Sequence, residues 1–142
     1  MTVHSDSLQR FLDAQAGVYQ DALAELARGR KTSHWMWFIF PQLKGLGHSE
    51  TARYFGIASR EEARAYLEHP VLGTRLRQCV DRIMALDSPD PHAIFGSPDD
   101  LKLRSSLTLF AAVAGEDKRF EAALDRLYPE GRDKATLAML GG

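Results

Sequence analysis

Apolar residues return every three or four positions along most of this chain, and that spacing predicts a succession of helices. Phe11, Ala14, Val18, Ala22 and Leu26 mark one apolar stripe between Ser7 and Arg30, with Asp6 placed to cap it. Gly17 either divides that stretch into two helices or marks a close contact, and Gly29 with Arg30 and Lys31 closes it. Ser59 and Glu62 form a capping-box pair ahead of Ala63, Tyr66 and Leu67, and Pro70 breaks that helix. Leu72, Leu76, Val80, Ile83 and Met84 describe a long amphipathic helix ending near Asp87. Ser97, Pro98 and Asp100 read as the start of another, with Leu103, Leu107, Phe110, Ala111 and Ala114 as its apolar face and Gly115 as its end.

Shorter pieces fill the gaps. Thr51–Ile57 reads as a short helix after the glycine-punctuated loop KGLGHSE, and SPDPHAIFGSPDD as a turn-rich connection with one helical turn at His92–Phe95. Arg119–Tyr128 and Lys134–Leu140 form a last pair. The run WMWFIF, residues 35–40, breaks the periodicity because every position is apolar. Its composition favours a strand, but no second convincing strand is available to pair with it. Its backbone groups therefore predict a two-turn buried helix, capped by Ser33 and stopped by Pro41. The expected fold is all-α: one domain over residues 1–142, with about seven or eight helices, several of them short.

Composition narrows the functional classes. The chain has 142 residues, 44% hydrophobic and 26% charged, with a net charge of -1, which suits an ordinary globular protein able to bury a core without a staple. Lys and Arg are spread along it, so nucleic acid is not an expected partner. The single cysteine, Cys79, excludes an internal disulfide and reads as a buried, inert thiol. The N-terminus has no charged lead or long apolar segment, and no run approaches the ~20 residues that span a bilayer. The expectation is a cytoplasmic protein with no membrane partner.

Three stretches could carry chemistry. Most of the aromatic run reads as core, but buried indoles need partners for their N–H groups, and an aromatic wall with a few polar groups also describes a ligand pocket. Trp35, Trp37 and Phe38 would form that wall, with His34 and Gln42 at its ends. His34 is the one obvious acid–base candidate in this set; the plainer role is a first-turn surface or capping residue. In DDLKLRSS, residues 99–106, Lys102, Arg104, Ser105 and Ser106 place cations and hydroxyls near a helix N-terminus that favours anions. Asp99 and Asp100 offset that charge, and the plainer reading of both is helix-dipole matching on a solvated face. Gln15 and Tyr19, four apart, stack on one helix face and would need partners or a ligand if buried. The five histidines, His4, His34, His48, His69 and His92, show no metal-ligand spacing, so no metal and no cofactor is expected. P-loop, Rossmann and G-x-S-x-G patterns are absent.

The blocks LQRFLDAQ, ALAELARGRKTSHWMWFIFPQLKGLG, YFGIAS, EARAYLEHPVLGTRLRQC and IFGSPDDLKLRSSLTLF together resemble the bacterial domain-of-unknown-function family numbered eighteen-ten, sometimes mislabelled calpastatin-like. That resemblance covers nearly the whole chain. It implies an all-helical single domain, with no established activity. A remoter similarity is to the NADAR domains, which act on N-glycosidic bonds of ADP-ribose-like or riboflavin-precursor molecules. Their motif carries a glutamate after a serine, whereas here Ser33 is followed by His34 and Trp35. What that similarity implies is a nucleotide-shaped pocket in which Trp35 or Trp37 stacks a base and Lys31 and Arg104 meet phosphates.

The functional expectation is therefore a small anionic, ADP-ribose-like ligand, with N-glycoside hydrolysis as the first reaction class to test. The alternative is a non-enzymatic interaction module whose aromatics are all core, and self-association is left open. The pocket reading requires His34, Gln42 and Arg104 to converge on one cavity. The interaction reading requires a contiguous exposed apolar patch or a self-complementary face.

Overall fold

The computed structural model describes residues 5–141, so His4 lies outside the described residues. Among those residues every regular element is a helix: α1 Ser5–Gln15, α2 Tyr19–Ala27, α3 Met36–Ile39, α4 Glu50–Phe55, α5 Arg60–Glu68, α6 Leu72–Met84, α7 Pro91–Phe95, α8 Asp99–Val113, α9 Arg119–Leu127 and α10 Lys134–Met139. They number ten rather than seven or eight, because Gly17 at φ +78° ends α1 and the 91–95 turn is a helix of its own. Helix α1 begins at Ser5, which puts Asp6 inside it rather than at its cap.

Local chemistry explains most boundaries. Ser49, Ser59, Asp90 and Asp133 each accept a backbone N–H in the first turn of α4, α5, α7 and α10. The Ser59–Glu62 box forms with one change: the Glu62 carboxylate takes the N–H of Ala58, one residue before the cap. Helix α8 has no side-chain cap, since Pro98 and not Ser97 holds that position. Ser33 does not cap α3 either. Trp35 stands there, and α3 is a single turn instead of two.

Helix α8 is the central element, packed by α5, α7, α9 and α10. Its burial goes beyond the expected apolar face, because Ser105, Ser106 and Thr108 are buried with Leu103, Leu107, Leu109 and Phe110. Thr108 returns its hydroxyl to Arg104 O, whereas Ser106 Oγ is buried without a partner. An aromatic chain links the layers, from Phe11 to Tyr66 at 5.0 Å, Tyr66 to Phe110 at 5.4 Å and Phe110 to Phe120 at 6.1 Å. Trp35, Phe40 and Phe95 make a second cluster, with centroids 6.0–6.3 Å apart.

One feature of the expected Thr51–Ile57 helix is different. It stops at Phe55, and Ile57 instead forms an isolated parallel bridge with Leu43. Ile57 N donates to Gln42 O at 2.9 Å, and Lys44 N to Ile57 O at 2.8 Å. A Cβ on Gly56 would lie 2.6 Å from Lys44 Cα, so this approach needs glycine. The outer edge of the bridge is closed by side chains: Arg10 donates to Gly56 O at 3.0 Å and Glu62 accepts from Ala58 N at 2.8 Å. The Arg10–Glu62 pair thus supplies the donor and acceptor that a third strand would supply.

Candidate functional site

The aromatic run is anchored by a residue outside it. Glu25 of α2 is buried, and its carboxylate accepts the backbone N–H groups of Thr32 and Ser33, the Ser33 hydroxyl and the Trp35 indole N–H, the last at 2.9 Å. Burial alone would raise this carboxyl. The bonds from Ser33 Oγ, Thr32 N–H, Trp35 Nε1 and Ser33 N–H outweigh it and pull the pKa down to about 2. Trp35 is fully buried with its one donor satisfied, so it faces the core.

From this anchor the chain passes α3 and delivers Trp37 and Gln42 towards α8. A cleft of about 270 Å³ opens between the first half of α8, the Gln42–Gly47 loop and the segment ahead of α10. Gln42, Pro98, Leu101, Lys102, Arg104, Ser105, Asp133 and Ala135 are among its walls. Gln42 and Lys102 also edge a pocket of about 10 Å³, room for roughly one water, lined by Met36, Trp37, Phe40 and Phe55.

The charges of this cleft are unbalanced. Asp99 already receives Lys31 Nζ at 2.9 Å, and Lys102 Nζ stands 3.7 Å from the same carboxylate and 5.3 Å from the centre of the Trp37 ring. Two lysines therefore share one acid. Arg104 makes its close contacts with neutral groups, Nε donating to Gly131 O at 2.8 Å and the guanidinium lying 5.8 Å from the Tyr128 ring centre, although it also borders a second concavity that Asp90, Asp100 and Glu130 line. Among the described residues no carboxylate forms an ion pair with it. The Ser105 hydroxyl donates to Leu101 O and keeps its lone pairs to accept.

Of the residues singled out from sequence, the fold brings Gln42, Lys102, Arg104 and Ser105 to the cleft and Trp37 to the pocket behind it. Lys31 is one step back, with 8% of its side chain exposed and its ammonium 5.1 Å over the Trp35 ring. Phe38 turns its ring to Phe55 at 5.4 Å. His34 is exposed and lines none of these walls, so the expected convergence of His34, Gln42 and Arg104 on one cavity fails at His34, and only Gln42 and Arg104 meet. Gln15 and Tyr19 belong to another buried network. Gln15 donates to Phe38 O at 2.7 Å and to the Tyr66 hydroxyl at 3.0 Å, and accepts from Arg75 at 3.2 Å. The Tyr19 hydroxyl donates to Gln78, and burial first, then Cys79, pushes that phenol to about 12. Cys79 itself is buried and pushed up to about 12 by burial.

Sequence reasoning missed Glu25, Asp99 and Asp133. Asp99 does not sit on a solvated face, since it holds two lysines. Glu25 lies at a charged position of an amphipathic helix, and only its neighbours in space mark it as different. Asp133 had a local signal, an acidic residue three positions before Thr136 at a helix start. Among the described residues no three His, Cys, Asp or Glu side chains gather as metal ligands, and no helix is long and apolar enough to cross a membrane.

A family model described as a protein of unknown function, DUF1810, matches residues 5–140. The chain belongs to this family. No curated protein matches it. Among solved structures, the conserved hypothetical protein Rv1873 from Mycobacterium tuberculosis is 49% identical, with a TM-score of 0.92 over 95% of this chain and 96% of that one. The fold is thus shared over nearly its full length by that crystal structure.

Proposed function

We propose that this DUF1810 protein binds a small anionic, nucleotide-like ligand in the cleft beside α8. The observation that carries the reading is the convergence of Gln42, Lys102, Arg104 and Ser105, from two distant parts of the chain, on one concavity where Lys102 shares its acid and Arg104 has none. Half-buried cations without a dedicated carboxylate favour an anion, and a guanidinium suits a phosphate or carboxylate in two-point contact. Trp37, half-buried behind Lys102, offers the flat apolar surface for a ring. N-glycoside hydrolysis is the reaction class to test at this site, and there an acid–base role for the exposed His34 would require it to swing over the ligand.

A thermal-shift screen against nucleotides, ADP-ribose, sugar phosphates and flavin precursors tests the proposal. A ligand at ~100 times its dissociation constant adds about 2.7 kcal/mol to stability, a rise of several degrees in Tm. The expected result is a hit that is lost in Arg104→Ala while the ligand-free Tm stays nearly constant. A flat screen would sink the small-molecule reading and turn attention to a protein partner.

A further inference from the structure

Asp133 lines the same cleft as Lys102 and Arg104, and its two oxygens have different fates. Oδ2 accepts the N–H of Thr136 at 2.9 Å and the Thr136 hydroxyl, which caps α10. Oδ1 takes no hydrogen bond among the described residues, and no cation forms an ion pair with the carboxylate. The carboxylate is also held in place from below. Asp133 N donates to Thr108 Oγ1 at 3.0 Å, Thr108 Oγ1 donates to Arg104 O at 2.8 Å, and Arg104 Nε reaches Gly131 O. The acid and the arginine are thereby fixed to one turn of α8, yet they do not pair with each other.

We infer that Asp133 is the specificity-determining residue of this cleft, and that the ligand is a phosphate monoester carrying hydroxyl groups, its phosphate at Lys102 and Arg104 and a hydroxyl donating to Asp133 Oδ1. This rests on the anion reading proposed above. A bare anion would gain nothing from a carboxylate lining the same cleft and would be repelled by it. A hydroxyl beside the phosphate turns that repulsion into a charge-assisted hydrogen bond. The amide of Gln42 and the lone pairs of Ser105 add neutral partners suited to further hydroxyls.

The test compares glycerol 3-phosphate with n-propyl phosphate, which has the same charge and carbon count but no hydroxyls, by titration calorimetry. Wild type, Asp133→Ser and Arg104→Ala are used. Serine can still cap α10 but lacks the second oxygen, and an unchanged Tm checks that the cap survives. The expected result is a preference of roughly tenfold or more for glycerol 3-phosphate in the wild type. That preference collapses in Asp133→Ser, with propyl phosphate bound no more weakly than before. Equal binding of the two esters by wild type, lost in Arg104→Ala, overturns this inference and leaves the anion site standing. A preference that survives Asp133→Ser overturns the role of Asp133. No binding of either ester overturns this inference, while the anion reading falls only if the nucleotide screen is flat as well.

Discussion

Two of the arginines that line clefts, Arg10 and Arg104, live in opposite circumstances. Arg10 edges a cleft of about 500 Å³ between α1 and α4. There it donates to Tyr54 O at 2.8 Å and Gly56 O at 3.0 Å and pairs with Glu62 at 3.1 Å, a carboxylate only 7% exposed. Arg104 edges the smaller cleft beside α8 with a carbonyl and a ring for company. Arg10 is therefore spent on the fold, whereas Lys44 and Arg53, which line the same cleft, are exposed and form no ion pair among the described residues. For a single arginine, cleft size says little; what its guanidinium already holds says more.

The largest effect that would break this contrast is at Arg10. Removing one partner of a mostly buried ion pair leaves the other uncompensated, and Arg10→Ala or Glu62→Ala should cost about 3–5 kcal/mol in denaturant unfolding. The double variant should cost less than the sum of the two, a coupling that a double-mutant cycle reads directly. Additive losses would mean that the pair is incidental.

Glu25 sharpens the same contrast from the acid side. Its folded pKa of about 2 lies below the ordinary 4.5. Its contribution to stability is therefore complete above about pH 4.5 and is lost as pH falls towards 2. Glu25→Gln should cost roughly 2–3 kcal/mol at neutral pH, through lost charge-assisted hydrogen bonds. The gap between it and wild type should narrow through that acid window, as measured by unfolding at a series of pH values. A gap independent of pH would deny the carboxylate its role as anchor of residues 32–35.

Gly73 offers an intermediate case without charge. A Cβ there would come 1.9 Å from Leu67 O, so Gly73→Ala must push the α5–α6 crossing apart. A loss of roughly 1–3 kcal/mol is expected for such overpacking, read as a lowered Tm. The smallest stability effect belongs to Arg104→Ala, about 1 kcal/mol or less for one hydrogen bond to a carbonyl, accompanied by the loss of any ligand-induced shift. A severe destabilisation there would make Arg104 a second structural staple and erase the comparison.

Much of the architecture was legible because its causes are local. Ser59 and Glu62 announce α5, Gly17 divides the first helical stretch, and the helical turn expected at His92–Phe95 is the body of α7. Gln42, Lys102, Arg104 and Ser105 stood out as polar groups beside an apolar run or at a helix start, and they share a cleft. Trp35 and Trp37 looked alike in sequence. They differ because α3 is one turn long, which sends Trp35 to Glu25 and the core and leaves Trp37 half-buried beside Lys102. Ile57 looked helical because nothing near it in the chain discloses that Leu43 will lie alongside.

Periodicity, caps and breakers act over three or four residues, through backbone hydrogen bonds and side chains one turn apart, so sequence alone determined an all-helical protein and most of its helix limits. Whether a given charge is neutralised depends on partners brought from far along the chain. Arg10 finds Glu62, Lys31 finds Asp99 and Thr108 finds Asp133. Only the tertiary structure decided those meetings, and with them which cations hold the fold and which are left facing a cleft.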